Sequence, residues 1–278
     1  MRTILFLVSV FFAAATLYAA EPNAPAGTTP DVQTIVSKAN IAAYYQGNDG
    51  KAKVNMLITD KNGQVRERQF NILRRDDTDG GDQKYFVYFI RPADVRGMVF
   101  MVHKHTDMGT DDDRWLYLPA LDLVKRIAAS DKRTSFVGSD FLYEDVSGRN
   151  LDEDTHELTG TTDEFYVVKN TPKTPDAVEF SYYNVSIDKN NYMPMKMEYY
   201  DKAGKLYRTI ESVTVENIEA QENGQPVEYP TVTKSVVSDL NSGNKTEMQF
   251  SNVQYNIGLN DDIFSERYLR RPPREAVR

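Results

Sequence analysis

The chain has 278 residues, with 33 Lys and Arg against 41 Asp and Glu for a net charge of -8, and it contains no cysteine. Disulfides, thiol chemistry and a lipidated N-terminal cysteine are thereby excluded. An acidic chain is also a poor match for nucleic acid or an anionic membrane surface, and this length suits one all-β domain with a sizeable core.

Residues 1–20, MRTILFLVSVFFAAATLYAA, read as a signal peptide: Arg2, an apolar run from Ile4 to Phe12, then small residues. The run is too short for a comfortable membrane span. Together with the missing cysteine anchor, it predicts a periplasmic protein. Residues 21–30 read as a Pro-rich flexible leader. An amphipathic helix is expected next, with Thr29 as N-cap, Pro30 in the first turn and Asp31 complementing the helix dipole. Val32, Ile35, Val36, Ala39 and Ala43 share one face, and Gly47 ends it.

From residue 51 the apolar period changes to two, and turn signals KNG, KNN, KAG, ENGQ and NSGN punctuate the rest. This predicts a mainly β, α+β fold: an antiparallel meander of about ten strands, curled into an incomplete barrel because so long a sheet cannot stay flat. Pro119 is expected to divide WLYLPALDLVKRIAA into two short strands. Two further helices are expected, at 139–145 and at 260–269 with Asn260 as cap. A single domain over 31–270 and a C-terminal tail at 271–278 complete the expected organisation.

Catalytic signals are weak. Ser139 in TSFVGSDFLYEDV lacks the G-x-S-x-G elbow, and the chain holds only three histidines to serve as its base. Ser139 is better read as a helix cap, with Gly138 supplying the bend and Asp140 in the first turn. His103 and His105 share a strand face but have no third ligand at metal-site spacing. The acidic loops lack the ordered calcium-loop pattern, and no cofactor motif occurs. What stands out is apolar surface on strands: KYFVYFI is apolar on both faces, while MVFMV and PMKMEY place Met98, Phe100 and Val102, and Met195, Met197 and Tyr199, on single faces. An ordinary core and a ligand cavity both account for that pattern.

FIRPADVRGMVFMV, RWLYLPALDLVKRI and SFVGSDFLYEDV, in this order, resemble the outer-membrane lipoprotein-sorting protein family, the LolA- and LolB-like periplasmic carriers. The resemblance implies a half-barrel closed by short helices around an apolar cavity. It implies a non-enzymatic carrier of lipid, lipoprotein acyl chains or other hydrophobic cargo towards the outer membrane. The partners it implies are that cargo, an inner-membrane exporter of the resistance–nodulation–division type and an outer-membrane acceptor, with no cofactor, no metal and a monomeric chain. The candidate cargo contacts are Phe86, Met98, Phe100, Trp115 and Tyr117, with Phe136, Phe141, Leu142, Met195 and Met197. The candidate lid- and loop-positioning residues are Arg91, Asp94, Arg96, Gly97 and Arg126, with Gly138, Ser139 and Asp140. A ligand-sensing regulatory module with the same cavity is the alternative, and an envelope hydrolase using Ser139 a further one. Cargo carriage sets a demand: at about 0.8 kcal/mol per CH2, a chain of about fifteen carbons needs on the order of 12 kcal/mol of burial, so an enclosing pocket is required.

Overall fold

The computed structural model describes residues 29–278; the expected signal peptide and the leader up to residue 28 lie outside the described residues. The first element, α1 (Val32–Tyr44), has Asp31 rather than Thr29 as its N-cap: the Asp31 carboxylate accepts from the Thr34 N–H at 2.9 Å and the Thr34 hydroxyl at 2.7 Å. An aspartate reaches the orphan N–H groups of the first turn directly, which displaces Pro30 to a position outside the helix. Ile35, Val36, Ala39 and Ala42 are buried.

Six strands follow, β1 (Asp49–Thr59), β2 (Val65–Asp76), β3 (Gln83–Arg91), β4 (Val99–Lys104), β5 (Asp113–Leu118) and β6 (Leu123–Arg126). A connection then carries α2 (Tyr143–Ser147). The second run comprises β7 (Asp154–Thr161), β8 (Phe165–Pro172), β9 (Phe180–Asp188), β10 (Pro194–Asp201), β11 (Leu206–Glu222), β12 (Gln225–Asp239) and β13 (Asn244–Tyr255). They form one 13-stranded antiparallel sheet in the order β6-β5-β4-β3-β2-β1-β13-β12-β11-β10-β9-β8-β7, with β6 and β7 as unjoined edges. The fold is thus the expected mainly β, incompletely closed sheet with few short helices, with more strands than the meander pattern suggested. β7, DTHELTGT, escapes a hydrophobicity reading because an edge strand half open to water needs few apolar residues. The Asn223-Gly224 turn joins β11 to β12 with φ of 50° and 76°, the left-handed pair that a two-residue hairpin turn requires.

Strand alternation divides the apolar residues between the two faces. On the inner face Val54, Met56, Phe70, Tyr85, Val87, Phe89, Phe100 and Phe136 pack in one cluster, and Tyr166, Val168, Phe180, Tyr183, Val185 and Tyr199 join α1 in a second. On the outer face Leu73, Phe86, Val99, Met101 and Trp115 lie under the chain's C-terminal segment. That segment departs from expectation in two ways. The helix expected at 260–269 is split into a turn at Asp261–Phe264, capped by Asn260, and α3 (Arg267–Arg270), because Ser265 is extended. The expected tail is ordered: α4 (Arg274–Val277) buries Ala276 completely, and the Asn71 amide donates to the Ala276 carbonyl at 2.8 Å. His103 helps to seat this segment through a 2.6 Å contact with the Phe264 carbonyl.

Candidate functional site, a cavity beneath a strap

The chain between β6 and β7 must pass from one edge of the sheet to the other, and residues 127–153 do so as a strap across the inner face. Its fold is local. Ser135 bridges Leu142, the Phe136 N–H donates to the Phe141 carbonyl at 2.7 Å, and Gly138 takes φ 76° between them. The tight loop drives Phe136 into the inner face, where its ring sits 5.5 Å from Phe100, 5.6 Å from Tyr143 and 6.0 Å from Phe70. The helix expected from Ser139 begins later, at Tyr143, because the Asp145 carboxylate accepts from the Leu142 N–H at 2.6 Å and caps the first turn there.

Ser139 is buried, and its hydroxyl is bound to the backbone: it donates to the Phe136 carbonyl at 2.7 Å and lies 3.3 Å from that of Phe141. Ser139→Ala is therefore expected to cost about 1 kcal/mol, lowering Tm by about 2–4 °C, with binding of a fatty-acid probe unchanged. Thermal scans and a probe titration check this.

The strap covers one side of a half-open cavity of about 370 Å³, within the range of ligand pockets. Its walls are the Ala39 and Ala42 face of α1, the inner face of β1, β2 and β8 to β13, and the strap itself. The lining is mainly apolar, with Phe70, Val185, Ile187, Ile210, Met248 and Phe250 prominent.

Ionic contacts hold the strap down. Glu144, 3 % exposed, receives Arg133, Arg149 at 3.2 Å and Lys132 at 3.2 Å. Arg133 forks onto Glu179 at 2.6 and 2.8 Å, and Arg149 forks onto Asp154 at 2.9 and 3.0 Å. Burial pushes the Glu144 carboxyl up, but Arg133, Arg149 and Lys132 outweigh it and hold it at about 2. On the other side Arg208 of β11 pairs with Asp145 and donates to the Asp140 carbonyl at 3.2 Å. The Thr246 hydroxyl of β13 donates to Asp140 at 2.7 Å. Burial raises the Asp140 carboxyl, partly offset by that hydroxyl. At its C-terminal end α2 is met by Lys104, which is buried and donates to the Ser147 carbonyl at 2.8 Å; burial lowers its ammonium to about 8. α1 is pinned in turn by Arg74, which donates to the carbonyls of Tyr44, Gln46 and Gly47, each at 2.6 Å. These bonds answer the unpaired carbonyls at the end of the helix.

The sequence-derived candidates separate into groups. Phe136, Phe141 and Met197 line the cavity. Met98 and Phe100 lie on the inner face but pack into the cluster that contains Phe136. Phe86, Trp115 and Tyr117 are on or against the outer cluster, because each falls on the opposite strand parity. Leu142 caps α2, and Met195 sits where the pairing of β10 with β9 slips by one residue, which takes it out of alternation. Neither lines the cavity. Gly138, Ser139 and Asp140 shape and anchor the strap. Arg91 instead ends β3, Asp94, Arg96 and Gly97 lie in the turn joining β3 to β4, and Arg126 pairs with Asp113 while stacking 5.6 Å from the Trp115 ring. Sequence reasoning missed Ile210, Met248, Phe250 and the clasp of Glu144 with its three cations. The signal for the clasp was five ionisable residues, Lys132, Arg133, Glu144, Asp145 and Arg149, flanking an apolar stretch.

A family model described as "Uncharacterized protein" matches residues 81–271. No curated protein matches the chain. Among solved structures, a DUF1329 family protein from Desulfovibrio piger is 29% identical with a TM-score of 0.75, covering 87% of this chain and 100% of its own. A domain assigned as an outer membrane lipoprotein-sorting protein from Vibrio parahaemolyticus is 26% identical with a TM-score of 0.72, covering 86% and 96%. A LolA superfamily protein from Nitrosomonas europaea shares the fold at 19% identity, with a TM-score of 0.64 over 86% of this chain and 100% of its own.

Proposed function

This chain belongs to the protein family whose model matches residues 81–271 and has as structural neighbours an outer membrane lipoprotein-sorting domain and a LolA superfamily protein; we propose that it is a periplasmic carrier that binds an acyl chain or similar apolar cargo in the cavity beneath the strap. The observation that supports this most is a space of about 370 Å³ lined by α1, the inner face of the sheet and the strap. Space left open in a folded interior forgoes contact energy, so a protein that keeps it has a use for it. The cargo enters an apolar wall with no nucleophile required. Release follows from strap or α1 movement at a membrane partner that favours the open state. An inner-membrane exporter and an outer-membrane acceptor are the proposed partners.

Native mass spectrometry of the protein purified from the envelope, with organic extraction and a fluorescent fatty-acid titration, tests the reading. A co-purifying lipid or acylated peptide, displaced by the probe, supports it. A clean mass together with no binding of fatty acids or phospholipids defeats it.

A further inference from the structure

Much of the motif that carried the family resemblance lies away from the cavity. Arg91 and Arg96 flank the turn between β3 and β4, and that turn touches the tip of the β5–β6 hairpin: a Cβ on Gly97 would lie 3.6 Å from Pro119. The tip carries Leu121, 70% exposed, with Leu123, 45% exposed, just beyond it. The C-terminal segment runs to the same end of the sheet. Asn71, Tyr88, Val99 and Tyr117 are paired in one row across β2 to β5. Arg270 sits on that row at Tyr117, 5.8 Å from its ring, and Ala276 on it at Asn71. From this row the hairpin tip and the β3–β4 turn are only two or three residues away.

The charge at this end opposes that of the whole chain. Asp122 is neutralised by Arg270 at 2.9 Å, and Asp94 faces Arg68 at 4.0 Å. Arg91 bonds only to the neutral Gln69 amide at 2.6 Å, and Arg96 to the Ile90 carbonyl at 3.3 Å. Arg271, Arg274 and Arg278 are exposed and pair with no carboxylate among the described residues. Glu275 is the acidic side chain among them. At physiological salt a charge is felt over about 8 Å, so this patch acts locally and not through the net charge of -8.

We propose that this end of the sheet, the β3–β4 turn, the hairpin tip and the C-terminal arginines, docks on an anionic phospholipid surface, with Leu121 and Leu123 entering the interface. Exposed leucines beside unpaired guanidiniums are the combination that binds such a surface. No groove is needed, and none of these residues lines the cavity. A carrier docked this way would meet its membrane partner already oriented.

Co-sedimentation of the full protein with phosphatidylcholine vesicles, with and without phosphatidylglycerol, tests the proposal. Binding is expected only with phosphatidylglycerol, and it should disappear at high ionic strength. The triple variant R271E/R274E/R278E should bind about 100-fold more weakly, since each arginine near the surface contributes about a fivefold factor. L121S/L123S should weaken binding about tenfold, and lysine at the three arginine positions should retain it. All three variants should bind the fatty-acid probe like the parent, which separates this docking surface from the cavity. Absence of phosphatidylglycerol-dependent binding, equal binding to both vesicles, or binding indifferent to charge reversal overturns it. Capture only by vesicles carrying membrane proteins would replace the lipid surface with a protein partner.

Discussion

Replacing Ile210 by tryptophan is expected to weaken binding of a fatty-acid probe by about 100-fold while leaving Tm within about 3 °C of the parent. Ile210 is half-buried on β11, touches both inner clusters and lines the cavity. An indole there occupies space otherwise filled by about four methylenes of cargo, which at about 0.8 kcal/mol each is about 3 kcal/mol of lost burial. In a filled core the same substitution would cost about 1–3 kcal/mol by overpacking. In an open cavity the ring gains contacts instead. Probe titration and thermal scans therefore have to be read together. Lost binding with preserved stability places the cargo beneath the strap. Preserved binding, or a fall in Tm of about 6 °C or more, removes that space from the account.

Glu144→Gln is expected to lower stability by about 3 kcal/mol at pH 7, a drop of about 6–12 °C in Tm. The amide keeps the shape of the side chain but leaves the largely buried Arg133 and Arg149 and the partly exposed Lys132 around a neutral group. Glu153, Glu179 and Asp154 still pair with them, which keeps the loss at the lower end for a broken buried ion pair. The pH dependence gives an independent check. The Glu144 carboxyl titrates near 2 in the folded chain against an ordinary value of 4.5. A depressed carboxylate contributes stability that is complete above about pH 5 and fades as pH falls towards 2. The gap in Tm between parent and variant should thus stay constant from pH 7 to about pH 5 and narrow from there towards pH 2. An equal Tm at pH 7, or a gap that does not narrow in acid, would show that the clasp does not hold the strap.

Much of this molecule was legible in the chain. The period-two runs with their Asn-Gly and Lys-Ala-Gly turns dictate hairpins, because only certain residues accept the left-handed turn positions. Ile35, Val36 and Ala39 at helical spacing dictate that α1 lies on the sheet. The order of RPADVRG, WLYLP and GSDF pointed to the family. β7 stayed hidden because its one large apolar residue, Leu158, makes no pattern.

The choice of face belonged to the tertiary structure. KYFVYFI is equally greasy on both sides; Tyr85, Val87 and Phe89 faced the strap, and Phe86 went outward only because a C-terminal segment of some twenty residues, read as a helix and a tail, covers that side. Residues 127–153, where a helix at 139–145 was expected, likewise cross the inner face only because the strand order carries the chain from one sheet edge to the other. Local sequence sets φ, ψ and alternation, which are properties of neighbouring residues. Which surface is buried, and which carboxylate meets which arginine, depends on segments far apart in the chain: Asp140 reaches Thr246, and Asp145 reaches Arg208. The sequence determined the strands, the first helix and the family, while the cavity and its clasp came from long-range packing that no single stretch encodes.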